Sequence, residues 1–319
     1  VPVRRSAVGG SLLALTAASL FATLGPLSRF AAEAGLEGTA FVAWRAGIGA
    51  ATLALVLGLA GGLAAARRGL RTLDRRGRAA LATAATMGLV LNVCIFIAFG
   101  LITIALALML FYTYPALVAA VGVLLGRDRL TPPKLAALVL ASTGVLLVLA
   151  GSLAGSGGIS VDLVGVLLGI GAAASQTVFV TVSRSGFGGL PAAAATLVIL
   201  ATSAVGGAVV AVVGGAGASL VAPLTSLEPW PYALVAGILG AALPSVLFIT
   251  AIRRIGGTRT GILMLWEPVV GVVLAALLLG EALVPLQLLG GTLVIGAALL
   301  LQLASDPATE PVAAAVDVV

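Results

Sequence analysis

The sequence predicts an all-α integral membrane protein of ten transmembrane helices, built as two inverted five-helix repeats with both the N- and C-termini cytoplasmic. Three observations lead there. Hydrophobic residues make up 61% of the 319 positions and charged residues 9%, where soluble domains carry about a quarter charged, and the mean hydropathy is +1.24. Ten apolar stretches are each long enough to cross ~30 Å of hydrocarbon as a helix, the structure that satisfies its own backbone hydrogen bonds there. Positive charge recurs at every second connection between them.

The spans fall at about 9–30, 39–60, 79–100, 102–125, 133–151, 162–183, 191–213, 232–252, 259–280 and 285–303. The first follows Arg4 and Arg5 and lacks a small-residue cleavage site behind a short apolar core, so it reads as a helix rather than a signal peptide. The second contains Arg45 about six residues from its outer end, and an arginine-rich loop near 66–78 leads to the third. That third span holds Asn92 and the lone Cys94, which excludes an internal disulfide and reads as a small core residue. The fourth carries the aromatic run Phe111-Tyr112-Thr113-Tyr114 ahead of Pro115, and the sixth carries Gly165-xxx-Gly169, a close-packing pattern, followed by Ser175-Gln176-Thr177. The eighth contains Ser245, and the ninth contains Trp266-Glu267-Pro268. Residues 304–319 have no periodic apolar face and are expected to be a disordered cytoplasmic tail.

Orientation follows from the basic residues, since Lys and Arg near span ends stay on the cytoplasmic side. Fifteen of the 17 lie at the N-terminus or in alternate loops: Arg4, Arg5, Arg67, Arg68, Arg71, Arg75, Arg76, Arg78, Arg127, Arg129, Lys134, Arg184, Arg253, Arg254 and Arg259. The other loops hold Glu33, Glu37, Asp162, Glu228 and Glu281. The net charge of +6 is thus a topology signal and calls for no nucleic-acid partner.

The halves 1–151 and 162–303 repeat each other. Leu108 to Pro115 aligns with Gly261 to Pro268, and each copy continues through an apolar run, a glycine-plus-charge turn (Gly126-Arg127-Asp128; Gly280-Glu281), a proline (Pro132; Pro285) and a glycine-bearing last helix. Ser28-Arg29 and Ser183-Arg184 close the first helix of each half. Five helices per half force the second copy to enter from the opposite side, the inverted-repeat device of transporters, with the substrate site near the midplane.

Thr250-Ala251-Ile252, the stretch Gly261 to Val270, Leu277 to Glu281 and Gly290-Gly291 resemble the signature of the EamA family in the drug/metabolite transporter superfamily. Ala98, Tyr114-Pro115, Gly126, Gly144 and Arg45 extend the resemblance to the first half. It implies that spans one to four and six to nine surround a central cavity, with the fifth and tenth as outer supports. The first half departs from the family pattern in carrying Tyr114 and Arg127-Asp128 where acidic residues are common, so two equivalent carboxylates are not expected.

One acid lies inside a span, Glu267, at ~12–20 Å from either end. Such a group normally faces a bundle interior or wet cavity, where it could carry a proton or balance a substrate amine; it could equally be a neutral acid capping backbone groups beside Pro268. Pro115 and Pro268 remove the bonds to the carbonyls of Phe111 and Met264, and read as hinges or as ordinary membrane prolines, with Pro26 and Pro244 weaker examples. Arg45 could bind a substrate carboxylate, pair with Glu33 or Glu37, or snorkel. Tyr114 and Trp266 could stack on a solute or pack the core, beside Tyr112; Asn92, Gln176, Ser175, Thr177 and Ser245 are polar candidates or helix–helix hydrogen bonds.

Enzyme chemistry finds little support. There is no histidine, one cysteine, no phosphate-binding loop, and every aspartate (Asp74, Asp128, Asp162, Asp306, Asp317) lies in a loop or tail. The expected function is secondary transport of small organic solutes, with amino-acid export first, across the plasma (inner) membrane. No cofactor or metal is expected, and proton coupling and oligomeric state stay open. The alternatives are a nucleotide-sugar or phosphorylated-metabolite carrier, or a channel or non-transporting membrane scaffold.

Overall fold

The computed structural model describes residues 2–36, 38–102, 104–154, 162–184, 186–279 and 283–303, which form helices and turns without strands. Glu37, Gly280, Glu281 and the tail 304–319, with Ser305, Asp306, Pro307, Glu310 and Asp317, lie outside the described residues.

In chain order the helices are α1 (Pro2–Ala22), α2 (Leu24–Glu33), α3 (Gly38–Leu59), α4 (Leu63–Thr72), α5 (Arg75–Leu101), α6 (Ile104–Phe111), α7 (Tyr114–Leu124), α8 (Pro132–Ala154) and α9 (Leu163–Ser183). They continue as α10 (Ala192–Val213), α11 (Gly217–Thr225), α12 (Trp230–Gly237), α13 (Leu243–Ile255), α14 (Gly257–Met264), α15 (Glu267–Leu279) and α16 (Pro285–Leu303). Among the described residues, nine stretches are long and apolar enough to cross a membrane: Val8–Glu33, Gly38–Leu59, Arg75–Leu101, Leu106–Leu124, Pro132–Gly151, Leu163–Ser183, Ala192–Val213, Trp230–Ile255 and Gly257–Leu278. The tenth expected span forms the shorter apolar helix Pro285–Leu301.

Two connections expected to be loops are helical. The arginine-rich segment coils as α4 because Leu63, Ala66 and Leu70 recur at helical spacing; Ala66 is buried, and Leu73 behind it is 5% exposed. Asp74 then caps α5, accepting from the Gly77 amide at 2.7 Å, as Asp162 caps α9 through Gly165 at 2.9 Å. The second is α11, held by Trp44 Nε1 donating to the Leu220 carbonyl and Trp230 Nε1 to that of Pro223, both at 2.8 Å.

The helix pairs map onto one another when the halves are exchanged. α3 packs on α10 and α8 on α16; α5 on α9 has its counterpart in α1 on α13, and α7 on α9 in α1 on α15. Glycines permit the closest crossings: a Cβ at Gly144 would stand 2.6 Å from the Gly290 carbonyl oxygen, and one at Gly290 would stand 2.4 Å from that of Gly144. The Gly165 and Gly169 pair is closely packed too, meeting Ile102 and Leu110 at 2.8 and 2.9 Å from their notional Cβ positions.

Candidate functional site

Two spans are interrupted at corresponding points. The fourth stops as α6 at Phe111 and restarts as α7 at Tyr114; the ninth stops as α14 at Met264 and restarts as α15 at Glu267. The backbone tightens through each gap, with Thr113 N bonding Leu110 O at 3.3 Å, and Leu265 N and Trp266 N bonding Ile262 O and Leu263 O at 3.2 and 3.1 Å. Pro115 and Pro268, which carry no N–H for the carbonyls of Phe111 and Met264, are each the second residue of the helical segment that restarts after the break. The ring's clash with the carbonyl four residues back explains why both preceding segments end at Phe111 and Met264.

Glu267 and Tyr114 therefore open two half-helices inside the membrane, and the other polar candidates gather around them. The Tyr112 hydroxyl is hydrogen-bonded to the Glu267 carboxyl, and Arg45 of α3 lies in the field of the same group. Arg45 Nη2 donates to Asn92 Oδ1 of α5, and the amide is oriented by its own Nδ2 donating to the Gly88 carbonyl at 2.7 Å. Tyr114 is hydrogen-bonded to Gln176 of α9. Tyr114 is 2% exposed, Tyr112 6%, and Arg45 and Gln176 8% each, while Glu267 and Asn92 are half-buried. Five spans thus contribute to one polar cluster within an apolar core.

Of the alternatives for Arg45, the pairing with Glu37 lies outside the described residues, and the contacts seen for Arg45 are with groups other than Glu33. Its hydrogen-bond partner is Asn92, its guanidinium stands 6.0 Å from the Phe96 ring centroid, and the acid that it faces is Glu267. Among the described residues the Arg45 Nε is buried without a hydrogen-bond partner. Trp266 is turned toward α1, its Nε1 donating to Ser19 Oγ at 3.0 Å. Thr177 bonds within its own helix, to the Ala173 carbonyl at 2.8 Å. Phe96, Phe111 and Ser19 are site neighbours that the sequence reading missed; Phe111 stands between Tyr112 and Tyr114, at centroid distances of 5.1 and 5.2 Å. A run of three aromatics around one proline break was the available signal for Phe111.

Two further breaks bear on the same region. The first span is interrupted at Thr23, ahead of Pro26, and the eighth contains a π-helical turn at Ile238–Ala242, ahead of Pro244. These two spans pack together, whereas their repeat counterparts α9 and α5 run unbroken. The two halves are therefore not equally deformable around the cluster.

At the arginine-bearing ends the bundle is closed by direct packing. A Cβ at Gly10 would stand 2.5 Å from Ile255, and one at Gly257 would stand 2.8 Å from Val180 and 3.2 Å from Val118. Phe179 stacks on Phe248 at 6.3 Å, and Phe21 meets Phe248 edge-on at 6.3 Å. Nearby, Arg253 Nη1 donates to the Leu190 carbonyl at 2.8 Å, and Lys134 pairs with Asp128 at 2.8 Å.

Comparison with known proteins adds the family. The model of the EamA-like transporter family matches residues 8–150 and 163–303, one match per half. A crystal structure of a protein superimposes with a TM-score of 0.71 over 92% of this chain and 96% of its own, at 19% identity, a likeness of fold alone. A search of curated proteins gave no significant match.

Proposed function

The chain belongs to the EamA-like transporter family, and from that premise we propose that it exports amino acids or related small metabolites by alternating access of its two halves, as inverted repeats, across the plasma membrane. The observation that carries this reading is the proximity of one buried cation, Arg45, to the one acid in the interior of a described span, Glu267, within a cluster otherwise made of Tyr112, Tyr114, Asn92 and Gln176. Charges this deep are costly, and a cluster that keeps one of each sign complements a zwitterion. The substrate carboxylate meets the Arg45 guanidinium, which Asn92 holds in orientation; the ammonium meets Glu267, whose other contact is the Tyr112 hydroxyl. When the amine leaves, Glu267 takes a proton in its place, which couples export to the proton gradient.

A phosphorylated solute would bring two negative charges against Glu267 with a single arginine to receive them, so the cluster favours the zwitterion. Purified protein in proteoliposomes preloaded with an unlabelled amino-acid mixture should accelerate entry of labelled amino acids, and an inside-to-outside pH difference should drive accumulation. Counterflow with sugar phosphates but not with amino acids would overturn the substrate assignment. An absence of counterflow with either class would leave a channel or scaffold as the better reading.

A further inference from the structure

A second polar site lies far from the cluster, where α3 gives way to α4. The end of α3 and the turn Gly58 to Gly61, reversed by Gly61 at φ +69°, face the first turns of α4 across an open cleft of about 530 Å³. Its lining is Gly58, Gly61, Leu63 and Ala64 together with Arg67, Arg68 and Arg71. The three arginines are exposed and share one side of α4, since positions three and four apart are neighbours on a helix. The other side of α4 is seated on the protein: Ala66 is buried, Leu70 packs against the core, and a Cβ at Gly69 would stand 3.0 Å from Leu190. The guanidinium groups are therefore mounted on an anchored helix rather than on a loose loop.

The charge there has no acidic counterpart in its own segment. Between residues 60 and 78 the one acid is Asp74, and its carboxylate is engaged in capping α5 at the Gly77 amide, 2.7 Å away. Directly before the cleft, Leu55, Val56 and Leu59 project from the end of α3 with 62, 53 and 81% of their surface exposed, an apolar flank at the end of the span. A basic cleft capping an exposed apolar flank matches one ligand class in both charge and greasiness.

We propose that this cleft is a binding site for an anionic glycerophospholipid, with its phosphate held by Arg67, Arg68 and Arg71 and its acyl chains lying along Leu55, Val56 and Leu59. The argument is charge complementarity at membrane depth: arginine forks suit phosphate oxygens, and basic pockets beside transmembrane helices on one face recruit acidic headgroups. The bound lipid fixes α4 against the end of α3, at the end of the bundle that the packing around Gly10 and Gly257 closes.

The test is native mass spectrometry of the purified full chain titrated with phosphatidylglycerol. Wild type should retain one tightly bound lipid, and Arg67→Gln/Arg68→Gln/Arg71→Gln should bind it about a hundredfold more weakly, at roughly a fivefold loss per arginine. Arg75→Gln/Arg76→Gln/Arg78→Gln, which removes equal charge from the same segment outside the cleft, should bind as wild type does. Equal weakening in both triple variants would overturn the proposal in favour of diffuse loop charge, as would equal binding of phosphatidylcholine. Displacement of the lipid by millimolar inorganic phosphate or glycerol phosphate would overturn it in favour of a soluble anion. If the cleft triple variant fails to give a monodisperse protein, Arg71→Gln alone decides: a loss of about fivefold sustains the site and unchanged binding rejects it.

Discussion

Replacing Glu267 by glutamine separates the carboxylate's charge from its shape. The Tyr112 hydroxyl keeps an acceptor in the amide oxygen, and Arg45 keeps its bond to Asn92 and its contact with Phe96, neither of which touches the carboxylate. The stability cost is the difference between a charge-assisted and a neutral hydrogen bond, about 1 kcal/mol, plus the lost attraction to Arg45, which Asn92 still holds, and the variant should insert and fold. For a substrate ammonium the loss is larger, because the whole charge-assisted contact goes: about 1.5–3 kcal/mol, or roughly a ten- to hundredfold weaker apparent affinity in counterflow. A carboxylate that only exchanges protons gives a different signature, with counterflow retained and accumulation driven by the pH gradient abolished. Both readouts come from one proteoliposome preparation, with folding checked by thermal unfolding in detergent. Unchanged affinity together with unchanged pH dependence would refute the reasoning, reduce Glu267 to a structural acid beside Pro268, and move the search to Arg45, Tyr112 and Gln176.

Asn92→Ala should cost about 1–3 kcal/mol by stripping the buried Arg45 Nη2 of its acceptor, and should weaken carboxylate-bearing substrates more than amines; thermal unfolding and competition in counterflow would show both. Gly290→Ala would drive a methyl group to 2.4 Å from the Gly144 carbonyl and should destabilise by about 1–3 kcal/mol, read as a lowered unfolding temperature with little change in affinity per folded molecule. Outside the spans, burial pushes the Asp128 carboxyl up, but the hydrogen bonds from Lys134 and Thr258 outweigh it and hold the group below its ordinary 3.8. A lowered folded-state value means stability that is complete above 3.8 and lost as pH falls through the lower value, so the excess of wild type over Asp128→Asn in thermal stability should vanish at that acidic end and persist at pH 5–7. In a Cys94-free background, a cysteine at Thr72 should be shielded from an impermeant reagent in intact cells and one at Leu163 should react; the reverse pattern would invert the topology.

Nine of the ten expected spans were legible because a membrane helix is specified by the composition of about 20 consecutive residues, a local property that leaves little for tertiary context to decide. The α4 segment was misread for the same reason, since its six nearby arginines drown a helical apolar spacing that only Ala66, Leu70 and the buried Leu73 reveal. The Arg45 partner was out of reach of any local reading. Sequence proximity offered Glu33 and Glu37 among the alternatives, and could not show the hydrogen bond made by Asn92, 47 positions away on another span, or the facing acid Glu267, further still. The π turn at Ile238–Ala242 gave no signal beyond the later Pro244, because an extra residue in a helical turn leaves composition and hydropathy unchanged.

The coincidence of the cluster with the helix breaks has a physical cause. A continuous membrane helix has no spare backbone donors, so a chain that interrupts one must place the gap against protein or a wet cavity. The gaps at Tyr112-Thr113 and Leu265-Trp266 fall at matching positions of two spans drawn from opposite halves, and each restarts with a side chain of the cluster, Tyr114 in one and Glu267 in the other. The first residue of a half-helix sits at the positive end of its dipole, which suits the Glu267 carboxylate and leaves the amides near Tyr114 directed at the same region. One half supplies the acid and the other a phenol, so exchanging the halves does not reproduce the site.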